Sequence, residues 1–271
     1  VSHASLSRAL REGQRVYATA VVSPSPLWPA ALAAAGVDFV FIDTEHTPLD
    51  RSGVAWMCRL CRAAGVPPVV RIPCPDPFEA CKVLDAGAAG IIVPYVETAE
   101  QVRALSGATR FRPLKGRRLT EALADANTLE PALGEYLERR NADSLLIVNI
   151  ESTPAMENLA EILAVPGLDA VLIGPHDLTC SLGIPEQYTH PRFEQAVRQI
   201  VGQARAAGVG AGVHYWVGVE QEIAWARCGA NLIMHSSDLM LFSQTLRREL
   251  AEIRTALADT AASAGPAPRE I

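Results

Sequence analysis

The sequence holds no run of about 18 consecutive apolar residues, so a membrane-spanning helix is not expected. Residues 1–14 lack the long apolar stretch and small-residue cleavage site of a signal peptide. Lysine is nearly missing, with only Lys82 and Lys115. Arg62, Arg71, Arg117 and Arg118 are scattered, and 24 basic residues face 30 acidic ones for a net charge of −6. No basic stripe exists, and no nucleic-acid partner is expected. Six cysteines are too few at this length for a disulfide scaffold, and a reduced, cytoplasmic setting is the expectation. Cys58 and Cys61 form a CxxC pair, but both fall on the apolar face of a predicted helix and read as core thiols.

What is present is apolar and rhythmic. Hydrophobic residues make up 49% of the 271 positions and charged residues 20%, which gives a large core and argues against disorder. Eight short β-rich runs recur at 16–22, 39–42, 68–72, 90–94, 144–150, 169–173, 209–213 and 231–234. They show little alternation, as parallel strands buried on both faces do. Helix-like segments follow them at 29–35, 50–64, 78–86, 99–107, 154–163, 191–207, 219–228 and 239–257. Gly36, Gly65, Gly87, Gly208 and Gly229 each end a helical stretch shortly before a strand. Eight such units predict an α/β fold, a single (β/α)8 barrel over residues 1–258 with a flexible tail at 259–271. A doubly wound sheet would usually bring a glycine-rich phosphate loop after its first strand, and none is present. Residues 110–141 are long for one βα unit and are expected to form an elaborated loop, inserted after strand 4, above the active-site end.

Barrel enzymes place their chemistry at the C-terminal strand ends. Six of those ends carry polar groups here: Asp43-Thr-Glu45-His46, Arg71, Asn149-Ile-Glu151, Gly174-Pro175-His176-Asp177, His214-Tyr-Trp216 and His235-Ser-Ser-Asp238. Glu151 and Asp177, from adjacent strands, can share a hard cation such as Mg2+ or Mn2+; helix capping or ion pairing is the plainer alternative. Arg71 can grip a carboxylate and steady an oxyanion, or form a salt bridge to Glu45 or Glu151. His46 can act as a base, with Asp43 and Glu45 orienting it, or simply fix its loop. Lys115, Arg117 and Arg118 can hold an anionic substrate tail or remain solvated.

The order and spacing of several segments resemble the HpcH/HpaI aldolase family, metal-dependent pyruvate aldolases of the phosphoenolpyruvate/pyruvate barrel superfamily. These are Phe39-Val-Phe-Ile-Asp43-Thr-Glu45-His46, Val69-Val-Arg71, Leu84-Asp85-Ala-Gly87-Ala leading into Ile91-Ile-Val-Pro94, Ile150-Glu151-Ser-Thr-Pro-Ala-Met156, and Val171-Leu-Ile-Gly174-Pro175-His-Asp177-Leu178. The resemblance implies Glu151 and Asp177 as ligands of Mg2+, Mn2+ or Co2+. It implies Arg71 at the keto acid and its enolate, His46 in base catalysis through a water, and Asp43 and Glu45 beside it. The Gly174-Pro175 turn would hold the keto acid. The expected substrate-binding set is Arg71, Asn149, Gly174, Pro175, His176, His214 and Trp216. The partners implied are a small 2-oxo acid and an aldehyde or other electrophile. A homo-oligomer, trimer or hexamer, is implied too, with the last helix packing on a neighbouring subunit.

The expected reaction makes or breaks a carbon–carbon bond of a 4-hydroxy-2-oxo acid through a pyruvate enolate. The alternative uses the same enolate for oxaloacetate decarboxylation or for lysis of a citrate-like or CoA-linked acid. A non-catalytic barrel is disfavoured by the joint presence of His46, Arg71, Glu151 and Asp177. Asn149 stands where many family members have Gln, His176 where a small residue is common, and Lys115-Gly-Arg117-Arg118 replaces a Gly-x-Arg-Gly pattern. His214-Tyr-Trp216 and His235-Ser236 also differ from an aliphatic lining. These departures cluster around the substrate and leave the acceptor open.

Overall fold

Each of the eight apolar runs forms a strand: β1 (Val16–Val21), β2 (Phe39–Asp43), β3 (Pro68–Arg71), β4 (Gly90–Val93), β5 (Leu145–Ile150), β6 (Ala170–Ile173), β7 (Gly210–Tyr215) and β8 (Leu232–Ser237). The computed structural model describes residues 3–259, so the tail expected at 259–271 lies outside the described residues except for Asp259. The strands are all parallel and close in sequence order into a barrel, with β1 also pairing β8. β7 and β8 run further than the sequence predicted. Tyr215 pairs with His235, so both histidine-bearing tips belong to the sheet.

The helices before β5 are α1 (His3–Glu12), α2 (Trp28–Ala35), α3 (Arg51–Ala63), α4 (Pro77–Asp85), α5 (Ala99–Arg110), α6 (Gly116–Ala124) and α7 (Pro131–Asn141). After it come α8 (Thr153–Glu157), α9 (Leu159–Leu163), α10 (Pro175–Ser181), α11 (Pro191–Ala206), α12 (Val219–Arg227) and α13 (Asp238–Leu257). The five glycines expected past helix ends all have positive φ, from 70° at Gly208 to 111° at Gly229. Asp50, Asp76, Thr98, Ser152 and Ser237 cap α3, α4, α5, α8 and α13 through their side chains.

Two apolar layers result. One lies between sheet and helices and includes Val40, Ile42, Val70, Ile91, Val148 and Ile173. It buries Cys58 and Cys61, whose thiols burial pushes up to about 12 and about 11, so they remain unreactive. The other fills the barrel with alternate residues, among them Phe39, Phe41, Val69, Ile92, Ile147, Leu172 and Met234. β7 contributes glycine at 210 and 212 to this layer, and Leu10 of α1 packs into the room at Gly210. α1, which sequence analysis did not foresee, thus plugs the N-terminal end. Burial of its Leu6 and Leu10 contributes about 1.5–3 kcal/mol each. Below them Asp169, 0% exposed, accepts from Ser7, Arg11, Arg110 and the Leu146 amide.

The inserted segment is not above the active-site end of the barrel. α5 runs three residues past its expected end and delivers Arg110 to the Ser144 carbonyl just before β5. α6 then folds back on α5, with Leu119 and Leu123 over Gly107, and Arg112 pairs with Asp85 at the foot of α4. The insertion therefore sits at the N-terminal end of the barrel. Arg117 and Arg118 pair with Glu121 and Glu130 there, and Lys115 opens α6. No described helix is long and apolar enough to cross a membrane.

Candidate active site

Alternation along the strands aims Asp43, Arg71, Gly174 and His214 at the mouth of the barrel, one step above its filling, and Glu151 two steps above Ile147, beyond Asn149. Asp43 and Arg71 are also register partners on β2 and β3. The Arg71 guanidinium forks onto Asp43, Nε to Oδ1 at 2.8 Å and Nη2 to Oδ2 at 2.7 Å. Its Nε lies 3.1 Å from Glu45 Oε2, and its Cζ stands 5.2 Å above the Phe41 ring. Burial alone would raise the Asp43 carboxyl, yet the Arg71 bonds and charge hold it below its usual range. Asp43 also accepts from the amides of Glu45 and His46, which shapes the turn that presents the imidazole. His46 Nε2 is 3.6 Å from Glu45 Oε2.

Glu151 is 7% exposed and held from two sides. Its Oε1 accepts from the Tyr95 amide at 2.7 Å and its Oε2 from the Asn149 side chain at 2.9 Å. Burial raises its pKa, and the negative charges of Asp177 and Glu45 raise it further. Gly174 is what lets the two carboxylates meet. A Cβ there would lie 2.9 Å from Glu151 Oε2 and 3.5 Å from Asp177 Oδ2. Both oxygens thus face one small volume that glycine leaves free.

A divalent cation fits this arrangement. The donors are hard oxygens, the carboxylates crowd one another, and burial penalises their charge unless a cation offsets it. No group of three or more His, Cys, Asp or Glu able to hold a metal occurs among the described residues. Two carboxylates suit an ion that keeps open positions for water and substrate.

Asp43, His46, Arg71, Gly174, Pro175, His176, Asp177, His214 and Trp216 all line one cavity of about 870 Å³. Glu45, Asn149 and Glu151 stand behind that lining. Asn149 is 2% exposed and holds Glu151 through its amide, so it reaches the substrate space only through that carboxylate. His235 points away from the barrel axis and pairs with Glu222 of α12 at 2.8 Å. Lys82 pairs with Glu79 on α4, and neither lysine lines the cavity. His214 donates from Nε2 to the Ser236 carbonyl at 3.2 Å, and burial, with Arg71's charge, pushes its pKa down to about 4.

Sequence reasoning missed three residues. Tyr95, directly after β4, has φ 57°, and this left-handed backbone aims its amide at Glu151. The Glu45 carboxylate near its hydroxyl, with burial, pushes the phenol up to about 12. Its place just past the strand's Val93-Pro94 was the available signal. Tyr188 and Glu186 come from the loop after α10 and line the cavity with no local motif to mark them.

The family profile described as HpcH/HpaI aldolase/citrate lyase matches residues 21–245. The chain belongs to that family. As an HpcH/HpaI aldolase/citrate lyase family member it is an enzyme of the carbon–carbon lyase class. It is 33% identical over 253 residues to the 2-keto-3-deoxy-L-rhamnonate aldolase of Klebsiella pneumoniae, covering 92% of each chain. A solved HpcH/HpaI family protein from Burkholderia cenocepacia superposes with TM-score 0.79 at 32% identity, over 92% of this chain and 99% of that one. The citrate synthase SbnG superposes with TM-score 0.80 at 30% identity, over 94% and 99%.

Proposed function

We propose that this HpcH/HpaI enzyme is a divalent-metal-dependent aldolase that makes or breaks the C3–C4 bond of a 4-hydroxy-2-oxo acid through a pyruvate enolate. The observation that carries the reading is the convergence of Glu151 and Asp177 on the space beside Gly174, with Arg71 at the same mouth. Glu151 and Asp177 would hold Mg2+, Mn2+ or Co2+. Bound there, the cation supplies Lewis-acid stabilisation of the enolate charge. Arg71 adds a guanidinium to the same oxyanion, and its fork onto Asp43 fixes its direction before substrate arrives. Gly174 and Pro175 give the keto acid close access to backbone. His46, half-exposed on the cavity wall, takes the C4 hydroxyl proton through a water on cleavage and returns it on condensation. Glu45 beside it steadies the imidazolium that forms. No lysine is needed for a Schiff base.

The similarity to 2-keto-3-deoxy-L-rhamnonate aldolases makes such 2-keto-3-deoxy acids the first substrates to test. With Mg2+ or Mn2+ the purified enzyme is expected to release pyruvate from them, and EDTA to stop the release. Pyruvate release from oxaloacetate alone, without retro-aldol activity, would favour the decarboxylase alternative. We also propose a homo-oligomer. Leu239, Phe242, Leu246, Leu250, Ile253 and Leu257 form one stripe along α13, each 37–66% exposed. Sedimentation should give a trimer or hexamer.

A further inference from the structure

His214 stands at the mouth of the barrel beside the turn assigned to the keto acid. Ile173 and Val213 are register partners, so Gly174 and His214 follow them side by side from β6 and β7. Ile150 pairs with Ile173 in the same way, which sets Glu151 beside Gly174 on the β5 side. The His214 backbone is therefore one strand spacing, about 4.8 Å, from Gly174 on the side away from Glu151. A few carbon–carbon bonds cover that span.

The imidazole is held in one orientation and one tautomer. Its Nε2 lies 3.2 Å from the Ser236 carbonyl. A carbonyl only accepts, so Nε2 carries the proton and Nδ1 keeps its lone pair. Ser236 is 1% exposed with φ 54°, and this left-handed backbone at the tip of β8 fixes the direction of its carbonyl. Phe41 and Trp216 meet the ring edge to face, with centroids 5.4 and 6.0 Å away. Burial and the charge of Arg71 keep the imidazole neutral near pH 7. Nδ1 has no hydrogen-bond partner among the described residues. It is not one of their buried unpaired atoms either, so it opens onto the cavity that the ring lines.

We propose that His214 determines acceptor specificity, its Nδ1 accepting a hydrogen bond from a hydroxyl on the carbon next to the aldehyde carbonyl. The inference rests on the enolate reading and deepens it. The aldehyde carbon becomes C4 of the product, and its oxygen is assigned above to the water on His46. The next carbon outward, C5, is the first whose hydroxyl is free to meet another partner. An acceptor without that hydroxyl leaves Nδ1 desolvated and unpaired, which costs more than a lost apolar contact. A site that hydrogen-bonds a substrate hydroxyl therefore discriminates strongly against the analogue lacking it.

The test compares two acceptors of equal carbon count, 2-hydroxypropanal and propanal, in condensation with pyruvate and Mg2+ near pH 7. Wild type is expected to favour 2-hydroxypropanal in kcat/KM by at least about tenfold. His214→Phe keeps a flat ring without the acceptor and is expected to narrow that ratio by about fivefold or more. His214→Gln can donate to Ser236 and still accept, and is expected to keep the larger part of the ratio. The hydroxyl's own effect on aldehyde reactivity is common to all three proteins and cancels in the comparison. Equal use of the two aldehydes by wild type, or a ratio in His214→Phe as large as that of wild type, would overturn the proposal. Deuterium exchange of the pyruvate methyl protons by wild type, which needs no acceptor, is measured alongside. If exchange proceeds while the ratio is unmoved, the His214 assignment alone is wrong. If metal-loaded enzyme gives no exchange, the enolate reading fails and the His214 assignment falls with it.

Discussion

Arg71 grips Asp43 through two parallel hydrogen bonds of 2.8 and 2.7 Å, across neighbouring strands in register. The fork sets the direction of a guanidinium that is only 13% exposed. Asp43→Asn keeps the shape but loses one acceptor and the charge. Its kcat/KM is expected to fall about a hundredfold through misplacement of Arg71. Arg71→Lys cannot form the fork and should lose at least as much. Steady-state kinetics on both variants check this, and near-wild-type turnover in Arg71→Lys would remove the guanidinium's role.

Gly174 has φ −85°, which any residue adopts, so Gly174→Ala tests space alone. The new methyl would stand 2.9 Å from Glu151 Oε2. Divalent-metal affinity is expected to drop by about tenfold or more with the far-UV circular dichroism unchanged. Titration of Mn2+ into both proteins reads it directly. Equal affinities would mean that the cation does not sit between Glu151 and Asp177.

These two sites show what the sequence made legible. Buried parallel strands are apolar throughout, so polar residues at their ends stood out, and Asp43, Arg71, Glu151 and Asp177 could be named from their places alone. The location of the insertion could not be read in this way. A broken rhythm marks extra chain but does not tell at which end of the barrel it emerges; that depended on α5 continuing to Arg110. Tyr188 and Glu186 reach the cavity from a loop between helices, where no periodicity points inward. α1 was missed because its two buried leucines, Leu6 and Leu10, make too short a pattern.

At the other end of the barrel Asp169 joins α1, α5 and β5 through Arg11, Arg110, Ser7 and the Leu146 amide. Asp169→Asn leaves two arginines short of their shared charge. Urea unfolding is expected to show a loss of about 3 kcal/mol, the lower end for a buried pair because the Arg11 side chain is 43% exposed. A loss below about 0.5 kcal/mol, as at ordinary surface sites, would contradict it.

The two strand-end histidines give opposite pH dependences. Its hydrogen bond to Glu222 raises the pKa of His235, so that pair stabilises fully below the unfolded value near 6.5 and fades as pH rises through the folded value. Burial lowers His214 to about 4, so its neutral form is favoured and stability falls as pH drops from about 6.5 toward that value. His235→Gln should therefore cost more stability near pH 6 than near pH 9. His214→Gln should flatten the acid limb. Urea midpoints across pH, with the histidine ring shifts followed by NMR, test both signs.

The central claim is that Glu151 and Asp177 hold the cation that makes pyruvate's methyl protons labile. The most direct measurement is deuterium exchange at the pyruvate methyl group, followed by NMR, for wild type and Glu151→Gln with Mn2+ or Mg2+ and again with EDTA. Wild type should exchange only with the cation, and Glu151→Gln should be slower by about a thousandfold. Exchange that survives EDTA, or proceeds at the wild-type rate in Glu151→Gln, would contradict the account.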